Sequence, residues 1–157
     1  MPHLLASGGR VVTVTSVGGV VGQPLNEAYC AAKFAVEGFC EVLAPVAASV
    51  GVCVSVIEPG AVSSEFIATA GLDQAAVIAG AGPYRDVLER YTTRTMEQFG
   101  TGAQPAAEVA DVVVEILASD NPPYRVQTAD WSRDFVGAKL ADVDGSAVIG
   151  MTSAWLT

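Results

Sequence analysis

Apolar residues change their spacing several times along this chain, and each change marks an element. Met1 to Ser7 reads as the tail of a helix ended by Gly8-Gly9. Arg10 to Ser16 is rich in β-branched residues and reads as a strand, and glycine-rich Ser16 to Pro24 reads as a loop. Asn26 is placed to cap a long helix that runs to about Ser49, with Gly51 as its terminator. Inside that helix Pro45 removes one backbone donor and crowds the carbonyl of Glu41, which predicts a kink or a loosened turn. Val52 to Ile57 is apolar except at Ser55, as a strand buried on both faces requires. Gly60 to Pro83 has no clear period and reads as a long loop of the functional or mobile kind. Tyr84, Val87, Leu88 and Tyr91 share one helical face, and so do Val109, Val112, Val113, Ile116 and Leu117, with Pro105 at the helix start. Asn121-Pro122-Pro123 breaks the chain, Tyr124 to Thr128 reads as a short strand, and Trp131, Phe135 and Leu140 anchor a last short helix.

Strands alternating with helices predict an α/β domain with a parallel sheet of three strands and flanking helices. The first strand would present a flat apolar edge, which invites pairing with another strand. Composition narrows the partners. With 51% hydrophobic and 16% charged residues the chain has ample material for a core. The net charge of −9, from 17 acidic and 8 basic residues, repels phosphate backbones and makes nucleic acid an unsuitable partner. Cys30, Cys40 and Cys53 have no metal-ligand spacing and read as buried free thiols of a reducing compartment. The most apolar charge-free run, Val42 to Ile57, is too short to span a membrane and is interrupted by Pro45 and Gly51. A cytoplasmic protein with no membrane span and no bound metal is expected.

The candidate chemistry lies at Ser16, Tyr29, Lys33 and Pro59-Gly60. Tyr29 and Lys33 stand one turn apart on the same helical face. A free phenol titrates near ~10, too high for an efficient base at neutral pH. A nearby ammonium favours phenolate, and a lowering of roughly two to three pH units brings a tyrosine into the working range of a general acid/base. Ser16 ends a strand, where ligands of open parallel sheets bind, and its hydroxyl can orient a substrate oxygen. Each feature alone is commonplace: many helices carry Tyr-x-x-x-Lys by accident, and Pro-Gly is an ordinary turn. The four in this order, on strand, helix and strand, form a specific signal.

Val14-Thr15-Ser16-Val17-Gly18-Gly19, Tyr29-Cys30-Ala31-Ala32-Lys33-Phe34-Ala35-Val36-Glu37-Gly38 and Ile57-Glu58-Pro59-Gly60-Ala61-Val62 resemble the C-terminal, catalytic part of the short-chain dehydrogenase/reductase family. Within it they are most similar to the 17-beta-hydroxysteroid and retinol dehydrogenase branch. Gln104-Pro105-Ala106-Ala107-Glu108-Val109-Ala110 fits the late helix of the family. The resemblance implies one partial Rossmann-like domain over 1–157: catalytic strand and helix in 10–60, substrate lid at about 61–83, C-terminal helices and last strand in 84–157. It implies an NAD- or NADP-dependent enzyme that interconverts an alcohol and its carbonyl on a small lipophilic substrate. Tyr29 would be the acid/base, Lys33 would lower its pKa and hold the nicotinamide ribose, and Ser16 would orient the carbonyl. Pro59, Gly60 and Val62 would border the nicotinamide, and Ser64, where the family commonly has threonine, would bond its carboxamide. Homo-oligomerisation through the helix 27–49 is implied too, using the stripe Val36, Phe39, Leu43 and Val46.

The N-terminal dinucleotide-binding half is expected to be absent from this sequence. Gly18-Gly19-Val20-Val21-Gly22 has the wrong spacing for a substitute fingerprint, with Pro24 where a helix should open. A catalytically inactive remnant or self-associating interaction module is the alternative reading. Asp142-Val143-Asp144-Gly145-Ser146 fails as a calcium loop, because Leu140 and Met151 would occupy its first and last ligand positions, and it reads as a turn or helix cap.

Overall fold

In the computed structural model, residues 2–65 and 73–157 are described. The short helix α1 (Pro2–Ser7) closes with Gly9 N–H donating to Leu4 O, and Gly8 takes the left-handed conformation (φ +57°) that the reversal needs. Strand β1 (Arg10–Val14) follows. A single 3-10 turn, Val17–Gly19, then leads to the long helix α2 (Glu27–Ala48). The expected terminator Gly51 is left-handed as well (φ +79°), and it returns the chain into β2 (Cys53–Glu58).

The main sheet has the order β1-β2-β5, with β5 at Arg125–Gln127, and both pairings are parallel. Register runs from Arg10↔Cys53 to Val14↔Ile57 on one side of β2, and from Val56↔Arg125 to Glu58↔Gln127 on the other. β2 is therefore the central strand, and Val54 to Glu58 are all buried, as its apolar run predicts. Among the described residues β1 pairs only with β2, so its outer edge is open, as anticipated.

Helix α2 packs on β2 through Cys40 and Ala47, which join Val52, Val54 and Val56 in one core cluster, with Val36 and Leu43 partly buried against it. Burying a valine of this kind stabilises the fold by about 1.5–3 kcal/mol. The expected stripe is thus split: Val36 and Leu43 face the core, whereas Phe39 and Val46 are exposed, together with Phe34 and Val42. The helix is apolar nearly all round, so spacing alone could not choose its inner face.

Several expectations need correction. The segment read as a loop from Gly60 to Pro83 holds strand β3 (Val62–Ser63) and helix α3 (Gln74–Gly80), with a 3-10 turn starting at Gly82. Residues 66–72 of the anticipated lid lie outside the described residues. Helix α4 (Arg85–Gly102) leads to β4 (Gln104–Pro105), which pairs in parallel with β3 as a second small sheet absent from the sequence reading. Helix α5 (Ala106–Ala118) lies against β1 and β4 and starts directly after Pro105. The single last helix is two, α6 (Asp130–Ala141) and α7 (Ser146–Ser153). Between them Asp142 accepts from the N–H groups of Gly145 and Val148, and Asp144 from Ser146, so the failed calcium loop is a helix cap. Phe135, Val136 and Val148 pack with Val17, Val20 and Val21 in a second core cluster beneath the 3-10 turn. Cys53, expected to be buried, is exposed because it opens β2 at the sheet margin.

Candidate active site

The described site residues gather at the carboxyl end of β1. Ser16 is 7% exposed and caps the 3-10 turn: its Oγ accepts from Gly18 N–H at 3.0 Å and donates to Pro59 O at 3.5 Å. Thr15 N–H donates to Ile57 O and Val17 N–H to Pro59 O, so the ends of β1 and β2 are stitched together past the last ladder pair.

Tyr29 is half-buried in the first turn of α2. A Cβ built on Gly18 would lie 3.0 Å from Tyr29 Cε1 and 3.4 Å from Ser16 Oγ. The missing side chain at Gly18 therefore lets the phenol ring approach the serine. Lys33 donates from Nζ to Val14 O at 3.4 Å, and its ammonium stands 5.9 Å from the centre of the Tyr29 ring. A Cβ on Gly19 would come within 3.1 Å of Lys33 O and 2.9 Å of Glu37 Cγ, so glycine there allows α2 to sit directly on the turn.

The other predicted residues are placed differently. Gly60 faces away from open space: a Cβ on it would meet Trp131 Cζ2 at 1.9 Å. Val62 is half-buried in β3, opposite Gln104, and Ser64 follows at an exposed bend. Asn26 does not cap α2 with its side chain; its Nδ2 donates instead to Pro24 O at 3.0 Å and to the hydroxyl of Tyr91 on α4. The preceding residue, Leu25, has a left-handed φ of +61°.

The glycine-rich segment does not cradle a phosphate. Its successive N–H groups are already used: Val17 to Pro59 O, Gly18 to Ser16 Oγ, Gly19 to Ser16 O, and both Val20 and Val21 to Val17 O. No nest of open donors remains there for an anion. At Lys33 the donor set does fit a polyhydroxylated group, because a single long backbone bond leaves ammonium protons for ribose hydroxyls.

Sequence reasoning missed a buried charge cluster beneath these residues. Glu58, fully buried at the end of β2, meets Arg125 Nε at 3.1 Å and accepts from Gln127 Nε2 at 2.8 Å. Glu37, one turn beyond Lys33, meets Arg125 Nη2 at 3.4 Å and accepts from Thr15 Oγ1. Burial pushes the Glu58 carboxyl up to about 7; Gln127 and Arg125 only partly offset it, and the neighbouring charge of Glu37 adds to the rise. Burial also raises Glu37, against the lowering effects of Thr15, Arg125 and Lys33. The available signal was chemical: two carboxylates inside apolar segments and an arginine in a short strand, each needing a buried partner.

Among known proteins, residues 1–75 match the family model for short chain dehydrogenases. Bovine (Bos taurus) retinol dehydrogenase 8 is 34% identical over 145 residues, covering 90% of this chain and 46% of the relative. Human (Homo sapiens) 17-beta-hydroxysteroid dehydrogenase type 1 is 34% identical over 149 residues, covering 88% of this chain and 42% of the relative. The chain thus spans about half the length of these curated relatives. The crystal structure of a short-chain dehydrogenase from Streptomyces avermitilis superposes with a TM-score of 0.66 at 25% identity, over 99% of this chain and 53% of that one. A short chain dehydrogenase from Burkholderia cenocepacia J2315, solved in complex with NADP, shares the fold with a TM-score of 0.67 at 18% identity, over 96% of this chain and 50% of that one. Sequence match and fold agree: the chain belongs to the short-chain dehydrogenase/reductase family and groups with its retinol and 17-beta-hydroxysteroid dehydrogenase members.

Proposed function

We propose that this chain supplies the acid/base centre of an NAD- or NADP-dependent oxidoreductase that interconverts an alcohol and its carbonyl. The observation that carries the reading is the convergence of the Ser16 hydroxyl, the Tyr29 ring and the Lys33 ammonium at the end of β1, over Gly18 and Gly19. Tyr29 moves the proton to or from the substrate oxygen. Lys33 holds its ammonium 5.9 Å from the centre of that ring. Ser16 trades its long bond to Pro59 O for one to the substrate oxygen. Lys33 and Tyr29 would hold the nicotinamide ribose, with Pro59, Gly60, Val62 and Ser64 along the ring. When bound, that cofactor supplies the hydride acceptor or donor.

The names of the relatives favour a lipophilic substrate of the steroid or retinoid kind. The exposed Phe34, Phe39, Val42 and Val46 on α2 support self-association through that helix. Three free cysteines suit a reducing, cytoplasmic setting. Among the described residues no helix is long and apolar enough to cross a membrane. The test is turnover of either nicotinamide cofactor by the full-length protein with a panel of steroid and retinoid alcohols and ketones. Activity on at least one lipophilic pair is expected; a complete panel without turnover under either cofactor contradicts the reading.

A further inference from the structure

The buried charge cluster touches all three segments that carry the site. Thr15 directly precedes Ser16, Glu37 follows Lys33 by one helical turn, and Glu58 directly precedes Pro59-Gly60. Through Thr15 Oγ1 the end of β1 is bonded to Glu37 on α2, and the same hydroxyl reaches Ile57 O at 3.1 Å. One guanidinium, from β5, then joins α2 to β2, with Nε on Glu58 and Nη2 on Glu37.

We propose that Arg125 is a positioning residue for the acid/base centre: by bridging Glu37 and Glu58 it sets the register in which Ser16, Lys33 and Pro59-Gly60 face one another. The proposal rests on the reading of Tyr29 and Lys33 as that centre. Its physical basis is the shape of the donor. A guanidinium carries its charge on a rigid plane of nitrogens, so ion pairs from Nη2 to Glu37 at 3.4 Å and from Nε to Glu58 at 3.1 Å hold α2 and β2 at a set separation. A lysine ammonium is a single point charge on a flexible stem and offers no such pair of fixed contacts. Stability alone is a poor reason for the arrangement, since a buried ion pair is commonly matched or bettered by apolar side chains.

Charge reaches the site from this cluster too. The groups facing Arg125 are Glu37 and Glu41 on α2, Glu58 on β2, and Tyr124, whose ring centre lies 5.9 Å from the guanidinium and whose hydroxyl donates to Glu37 O; Lys33 acts on Glu37 from the same helix. Cys40 on α2 lies beside Tyr124. Without Arg125, Glu37 loses its partner on β5, and Lys33 is left as the cation acting on it.

The test is steady-state kinetics, with kcat and KM read separately, of the full-length protein for Arg125→Met, Arg125→Lys and the neutral triple variant Glu37→Gln/Glu58→Gln/Arg125→Met, with Tyr29→Phe measured alongside. Arg125→Met is expected to lower kcat by about 100-fold, the cost of roughly 1 Å of misplacement. KM should change little. Arg125→Lys keeps the charge and should still lose rate. The triple variant removes the charges of this cluster together and should remain slow. Wild-type kcat in folded Arg125→Met overturns the proposal, as does wild-type turnover in the triple variant should Arg125→Met fail to fold. Tyr29→Phe separates the two levels. An inactive Tyr29→Phe beside an unaffected Arg125 series sinks only the positioning role, whereas an active Tyr29→Phe removes the centre and the proposal with it.

Discussion

Replacing Glu58 by glutamine tests the burial of this carboxylate through the pH dependence of stability. A carboxyl free in the unfolded chain titrates near 4.5, whereas burial carries Glu58 to about 7 in the fold. The folded state therefore holds a proton that the unfolded state has already released between these values. Stability contributed by this group falls as pH rises through that window, by about 1.4 kcal/mol per pH unit, and levels off above it. The total loss is about 3 kcal/mol. Glu37, raised in the same direction, adds a slope of the same sign. Glu58→Gln keeps an acceptor for Gln127 and a polar neighbour for Arg125 but cannot ionise. Urea unfolding of both proteins from about pH 4 to about pH 9 gives the difference directly. The stability of the variant relative to wild type should rise steadily across the window and be flat on either side. Parallel curves for the two proteins would refute the burial argument.

Other outcomes follow from individual contacts. Gly60→Ala forces a Cβ to 1.9 Å from the Trp131 ring, and overpacking of this kind should cost about 1–3 kcal/mol in thermal or urea unfolding; Trp131→Leu should recover most of it. Exposed Cys53 should react with a thiol reagent in the native protein, whereas Cys30 and Cys40 should react only on unfolding, as counted by mass spectrometry. Phe39→Glu with Val42→Glu should shift sedimentation toward the monomer without lowering the melting temperature, because both side chains are exposed.

The parallel sheet and the site segments were legible in the sequence because each rests on a local signal. β-branched runs marked β1 and β2, Gly8 and Gly51 marked the reversals, and Tyr29 and Lys33 one turn apart marked the helix face. Features set by distant partners were not. β3 and β4 are two residues each, too short for any period to register, and they exist only because 62–63 and 104–105 meet. The inner face of α2 depends on Cys40 and Ala47 meeting β2, in a helix where almost every position is apolar. Asn26 fits a capping position by its type, yet Tyr91, far along the chain, takes its side chain. Glu37, Glu58 and Arg125 looked ordinary one at a time, and only the fold brings them to a common point.

The central claim is that Tyr29 moves the proton. The most direct measurement is single-turnover oxidation of a lipophilic alcohol by the full-length protein, wild type against Tyr29→Phe, with nicotinamide binding followed separately by fluorescence. Loss of a general acid/base should lower the rate by about 100- to 10,000-fold while the cofactor still binds. A Tyr29→Phe variant that turns over at the wild-type rate would contradict the account.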